Sequence, residues 1–220
     1  MTDYGQVKAL LSKTPTSHKE AEEQEKLERA VTSVREKRLD ASPIQGSYDL
    51  VHLLKIHSYI FDGLYDHAGQ LRPQTENWGK QNSHDPSLYS EFLPISEGIQ
   101  AISETSQFLQ ENDFLKNFDR DDFVYEFTVS YAEFNSAHPF EEGNGRAIRI
   151  MFKQLAEQAG YQFNTKNISK EEWDRASALS GTHFVLYEDG KGGFTGVEQN
   201  INIEPLLEIM EKSLIEKSKL

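Results

Sequence analysis

The chain has 220 residues, 27% of them charged and 37% hydrophobic, with a formal net charge of −13 and no cysteine. That length suits one domain with appendages, and the missing cysteines exclude disulfides and thiolate chemistry and fit a reducing cytoplasm. The acidity argues against sequence-independent nucleic-acid binding, and no apolar run approaches the ~20 residues that cross a bilayer.

The N-terminus lacks the basic-then-apolar order of a signal peptide. Residues 1–17, with Gly5 and Pro15, read as a loosely ordered lead-in. Residues 18–39 are charge-rich and helical, with a thin apolar stripe of Leu27, Val31 and Val34. Ser42-Pro43-Ile44-Gln45-Gly46 breaks that helix. An amphipathic helix follows over about 47–66, carrying Leu50, Leu53, Leu54, Ile56, Ile60, Phe61 and Leu64, and Ala68-Gly69 ends it. Residues 70–86 are polar, with Pro73, Gly79 and Pro86, and predict a surface loop or hairpin, of a length that tends to be functional.

Helices are expected at about 87–112, 120–137 and 145–159, the second with Asp119 as N-cap. Ser169-Lys170-Glu171-Glu172 is a capping box opening a helix to about 180. Between 181 and 202, Val185-Leu186-Tyr187 and Phe194-Thr195-Gly196-Val197 could form two short strands around a glycine-rich turn. Pro205 stands at the first turn of a last helix. The expectation is a mainly α fold: a helical bundle over 18–180 with a β-hairpin near 70–80, a second short hairpin near 183–197, and 181–220 packing on the same domain.

Function concentrates in residues 135–149, Asn-Ser-Ala-His-Pro-Phe-Glu-Glu-Gly-Asn-Gly-Arg-Ala-Ile-Arg. Gly143-Asn144-Gly145 permits backbone angles that a Cβ would forbid, and it opens a helix whose unpaired N–H groups favour an anion. Arg146 and Arg149 follow at i, i+3, and so leave one helix face. Glu142 precedes the glycines, and His138 ends the helix before them. A backbone cradle, two arginines, a carboxylate and a histidine suit a nucleoside triphosphate with Mg²⁺. Glu142 is placed to hold the metal, the arginines can fork onto phosphate oxygens, and His138 is the group suited to take a proton from an attacking hydroxyl. Phe140 reads as a core anchor, Glu141 as solvent-facing. Which phosphate is attacked is not written in these residues.

His138 to Arg149 matches, without departure, the signature H-x-F-x-[D/E]-G-N-G-R-x-x-R, and the chain resembles the Fic family. The likeness covers roughly residues 22–180. It includes Ile56-His57, the stretch Leu64 to Arg72, where His67 stands at a position more usually Trp, and Ala159-Gly160-Tyr161. The resemblance implies attack at the α-phosphate of ATP, transfer of AMP to a Tyr, Thr or Ser of another protein, and release of pyrophosphate. It implies His138 as base, Glu142 as metal ligand, Asn144 as an α-phosphate contact, and Arg146 and Arg149 as clamps on the β- and γ-phosphates. Asn135 also matches, with the expected task of holding the loop.

The resemblance also implies a flap, here Arg72, Gln74, Thr75, Glu76 and Asn77, on which a target segment docks by strand pairing. The family's inhibitory pattern, [S/T]-x-x-x-E-[G/N], is met in spacing by Thr16…Glu20, Thr32…Glu36 and Ser87…Glu91, but Ala21, Lys37 and Phe92 stand where Gly or Asn belongs. That points to restraint by a separate antitoxin-like protein, with a degenerate built-in inhibitor at Thr32–Glu36 as the alternative. Transfer of UMP, phosphate or phosphocholine, and a non-catalytic nucleotide-binding module, are the competing readings. The expected place of work is the cytoplasm, or the cytosol of a target cell.

Overall fold

The computed structural model describes residues 9, 11, 13, 16–73, 78–188 and 193–217. Most of the expected lead-in, and Gln74, Thr75, Glu76 and Asn77 of the expected flap, lie outside the described residues. The chain divides into two compact units, one of residues 1–72 with 140–151, the other of 73–139 with 152–220.

The first unit is helical. Helix α1 (His18–Ala41) starts at Ser17, whose hydroxyl accepts the Glu20 N–H at 3.2 Å. Its buried side differs from the stripe read off the sequence: Val31, Thr32 and Leu39 are buried, whereas Val34 is exposed. The inner face runs instead through Glu28, Thr32 and Arg35, and Arg35 donates to the Ile60 carbonyl at 2.7 Å. Helix α2 (Leu50–Phe61) is capped by Asp49 and buries Leu53, Ile56, His57, Ile60 and Phe61. It stops five residues before the expected end, because Gly63 takes φ 68° and turns replace the helix from Asp62. Helix α5 (Asn144–Gln158) contributes residues 144–151 to this unit.

The second unit pairs a sheet with helices. Strands β1 (Trp78–Gln81) and β2 (Leu88–Phe92) form an antiparallel hairpin, Trp78 opposite Phe92. The hairpin thus lies later than 70–80, and residues 87–94 are not helical as expected. Leu88, Ser90 and Phe92 are buried in alternation while Tyr89 and Glu91 are less so, the period of a strand. Helix α3 (Ile95–Glu111) begins only after Pro94, and a short 3₁₀ turn, Asp113–Leu115, follows it. Helix α4 (Arg120–Ala137) has Asp119 as its N-cap, accepting the Asp122 N–H at 3.0 Å.

The core of this unit is aromatic. From α4, Phe127, Tyr131 and Phe134 set their rings edge-on to Phe152 of α5 at 5.2–5.4 Å. Strand β3 (Tyr161–Phe163) and helix α6 (Lys170–Leu179), opened by the Ser169–Glu172 capping box, add Phe163 and Trp173. Strands β4 (His183–Glu188) and β5 (Phe194–Glu198) make the second hairpin where the sequence suggests one. They extend the first into one antiparallel sheet of order β1-β2-β4-β5. Helix α7 (Glu204–Ser213) follows Pro205's signal, and β6 (Leu214–Glu216) pairs with β3, a two-stranded ladder the sequence does not announce.

Candidate functional site

In the first unit the signature loop closes on itself. Phe140 is fully buried. Its N–H donates to Asn144 Oδ1 at 2.9 Å, and its carbonyl accepts from Asn144 Nδ2 at 2.7 Å. The Asn144 side chain, expected on the α-phosphate, therefore holds the loop. Gly143 stands at φ 81°, and a Cβ there would drive into the Phe61 ring, so the position is closed to any side chain on two counts.

Behind the loop stands His57, to which the sequence alone assigns no role. Its Nδ1 accepts the Gly69 N–H at 2.9 Å, which leaves Nε2 as the donor to the Glu142 carbonyl, also at 2.9 Å. The ring stacks on Phe140 with centroids 3.8 Å apart. Burial pushes this imidazole down to about 4, so it is neutral at physiological pH. The Glu141 and Glu142 side chains are exposed.

Helix α5 starts as the loop ends: the Gly143 carbonyl accepts from the N–H groups of Arg146 and Ala147, each at 3.1 Å. The first-turn N–H groups before them have no partner within the helix and mark its positive end. A Cβ at Gly145 would sit 3.4 Å from Arg149 Nη1, so the Arg149 guanidinium reaches back over the helix start. The structure therefore brings Gly143, Gly145 and Arg149 together at one helix terminus. It sends Arg146 elsewhere, to Glu28 and Thr32 of α1 and the face of Phe61.

In the second unit, His138 is the C-cap of α4 in the left-handed conformation (φ 40°), its N–H bonded to the Phe134 carbonyl at 3.4 Å. The imidazole is buried and stacked on Phe92, with centroids 3.6 Å apart and planes 10° from parallel. Asn135 donates to the Ser177 carbonyl at 3.2 Å, tying α4 to α6. Arg72, back in the first unit, is buried, and desolvation lowers its pKa.

Sequence reasoning gives no site role to Glu28, which pairs with Arg146, to Tyr65, which donates to Glu28, to His57 behind the loop, or, in the second unit, to Phe92 against His138. For His57 the available signal is a histidine among the buried apolar positions of α2, which His52 shares. The donor set also bears on Mg²⁺. Among the described residues no group of three metal-binding side chains occurs, and a single exposed carboxylate suits an ion carried mainly by phosphate oxygens and waters. No helix among the described residues is long and apolar enough to cross a membrane.

The sequence profile of the Fic/DOC family matches residues 47–156, half of the chain. Protein adenylyltransferase VbhT of Bartonella schoenbuchensis is 31% identical over 156 residues, covering 71% of this chain and 31% of VbhT. The Escherichia coli protein named "Probable protein adenylyltransferase Fic" is 33% identical over 158 residues, covering 70% of this chain and 74% of that protein. The chain thus spans about a third of one curated relative's length and three quarters of the other's. Among solved structures, the N-terminal Fic domain of a VirB-translocated Bep effector from Bartonella quintana, determined with bound ADP, superposes with a TM-score of 0.71. It is 22% identical, covering 88% of this chain and 86% of that one. With the profile spanning half its length and a relative of similar size sharing a third of the aligned residues, the chain belongs to the Fic/DOC family.

Proposed function

We propose that the chain is a protein adenylyltransferase, transferring AMP from ATP to a hydroxyl side chain of another protein. The observation that carries this reading is the start of α5. Gly143-Asn144-Gly145 presents backbone N–H groups, and the Arg149 guanidinium is folded back over Gly145. Such a terminus binds phosphate without desolvating a buried charge. The curated relatives bear the name adenylyltransferase, and the signature runs unbroken from His138 to Arg149.

In this reading the phosphates of ATP lie over the α5 terminus, with Arg149 on the outermost one. A hydroxyl oxygen of the target forms a bond to the α-phosphorus. The bond from that phosphorus to the oxygen bridging to the β-phosphate breaks, and pyrophosphate leaves. His138 takes the hydroxyl proton. Mg²⁺, held by Glu142, would offset charge on the leaving phosphates. His57 keeps the Glu142 backbone in place, and the Asn144–Phe140 bonds keep the cradle open. The target segment docks along β1, an edge strand of the sheet. Restraint comes from a separate antitoxin-like protein, since α1 carries no complete inhibitory pattern, and the work is done in a cytosol.

Incubation with lysate and Mg²⁺ tests the reading. Label carried from the α-phosphate of ATP to protein is the expected result. Label arriving from the γ-phosphate would make the chain a kinase, and nucleotide binding with neither transfer would make it a binding module.

A further inference from the structure

Arg146 follows the cradle directly, yet its guanidinium is held by protein groups. It forms an ion pair with Glu28 Oε1, donates to Thr32 Oγ1 at 3.3 Å, and lies over the Phe61 ring at 4.7 Å. The other carboxylate oxygen of Glu28 accepts the Tyr65 hydroxyl. One carboxylate on α1 thus ties together the first turn of α5 and the segment that follows α2. The pair is largely covered, with 23% of the Arg146 side chain and 14% of the Glu28 side chain exposed. Burial and the Glu28 bond raise the Tyr65 pKa, so the phenol stays a donor, and the Glu142 charge adds to that rise. The network therefore lies within electrostatic range of the proposed metal ligand. Glu28 and Thr32 both precede residue 47, where the family match begins.

We propose that Glu28 is a positioning residue for the anion cradle: by holding Arg146 it fixes the first turn of α5, and with it Gly143, Gly145 and Arg149. The inference rests on the α5 terminus being the nucleotide site. An arginine–carboxylate contact is directional, and this one sits in the turn whose backbone N–H groups must face the phosphates. Without Glu28, a partly buried guanidinium loses its counter-charge. It would then turn toward Glu142 or the bound phosphates and displace the geometry that both require. Arg146, in this account, acts on the phosphates through the backbone it anchors.

The test is isothermal titration of ATP in excess MgCl₂ into the parent chain, Glu28→Ala, Glu28→Gln, Arg146→Ala and the double variant Glu28→Ala/Arg146→Ala. Glu25→Ala serves as control, because Glu25 makes an exposed ion pair with Arg29 on the same helix and its loss removes the same charge. Glu28→Ala and Arg146→Ala should each weaken ATP binding about tenfold, the double variant no more than either alone, and Glu28→Gln, which keeps an acceptor but removes the counter-charge, should fall midway between Glu28→Ala and the parent. Glu25→Ala should bind as the parent does. Losses that add in the double variant, or parent-like binding by Glu28→Ala, would overturn the positioning role. Should Glu28→Ala fail to fold, the same cycle is run with Glu28→Gln, where additive losses overturn the role equally. A parent chain that binds no ATP would sink the reading of the site itself, a different and separable failure.

Discussion

His57 makes the folded protein sensitive to acid in a way that a single substitution exposes. The buried imidazole titrates at about 4 against an ordinary 6.5, with burial as the first cause. Between those values the unfolded chain binds a proton that the folded one refuses, so stability rises with pH through this window and is lost as pH falls. At pH 4.5 the difference amounts to about 2–3 kcal/mol, since each tenfold loss of proton affinity on folding is worth about 1.4 kcal/mol. His57→Gln removes the titration. It keeps a donor for the Glu142 carbonyl but leaves the Gly69 N–H without its acceptor, at a cost of about 1–3 kcal/mol that does not depend on pH. Urea unfolding of parent and variant at pH 7.5 and pH 4.5 is the assay. The parent should be the more stable at pH 7.5, and its advantage should shrink by about 2–3 kcal/mol at pH 4.5. Other carboxylates titrate alike in both proteins and cancel. An advantage that stays the same at both pH values would refute a neutral, buried His57.

Gly143→Ala combines a left-handed backbone with a collision against Phe61 and should destabilise by about 2–4 kcal/mol; thermal unfolding without nucleotide measures it. Glu142→Ala should make ATP binding nearly indifferent to Mg²⁺, and titrations with and without the metal check this, a variant as metal-dependent as the parent removing Glu142 from the site. Arg149→Ala should lower AMP transfer, whereas Glu36→Gly should not raise it, because the Thr32–Glu36 pattern is incomplete, Lys37 standing where Gly or Asn belongs. A large gain in initial rate from Glu36→Gly would reveal a built-in inhibitor.

Helices with strong caps are legible in the sequence. Asp119, Ser169 and Pro205 mark the starts of α4, α6 and α7 through local chemistry that needs no distant partner. The second hairpin is legible too, from apolar runs around glycines. Residues 87–94 mislead because Leu88, Phe92 and Ile95 satisfy a helical spacing as well as the alternation that β2 adopts, and Pro94 postpones the helix. Strands of three residues, such as β3 and β6, are too short to show a period.

At the site, the signature marks candidate residues but not what holds them. Asn144 and Arg146 look alike as phosphate ligands in sequence, yet their side chains are taken by Phe140 and Glu28. The partner of Arg146 lies far off in the chain, on a helix recognised by its apolar stripe. The contacts of α1 that count are polar, so hydrophobic periodicity passes over them. His57 is hidden for the opposite reason, as a polar group on an apolar face.

The central claim is that the signature residues catalyse transfer of AMP with His138 as the base. The most direct measurement is the initial rate of label transfer from the α-phosphate of ATP to the target protein, by the parent and by His138→Ala, beside ATP affinities for both. Loss of a general base should lower the rate by ~10²–10⁴-fold while affinity stays within a few-fold. Transfer by His138→Ala at the parent's rate would contradict the account.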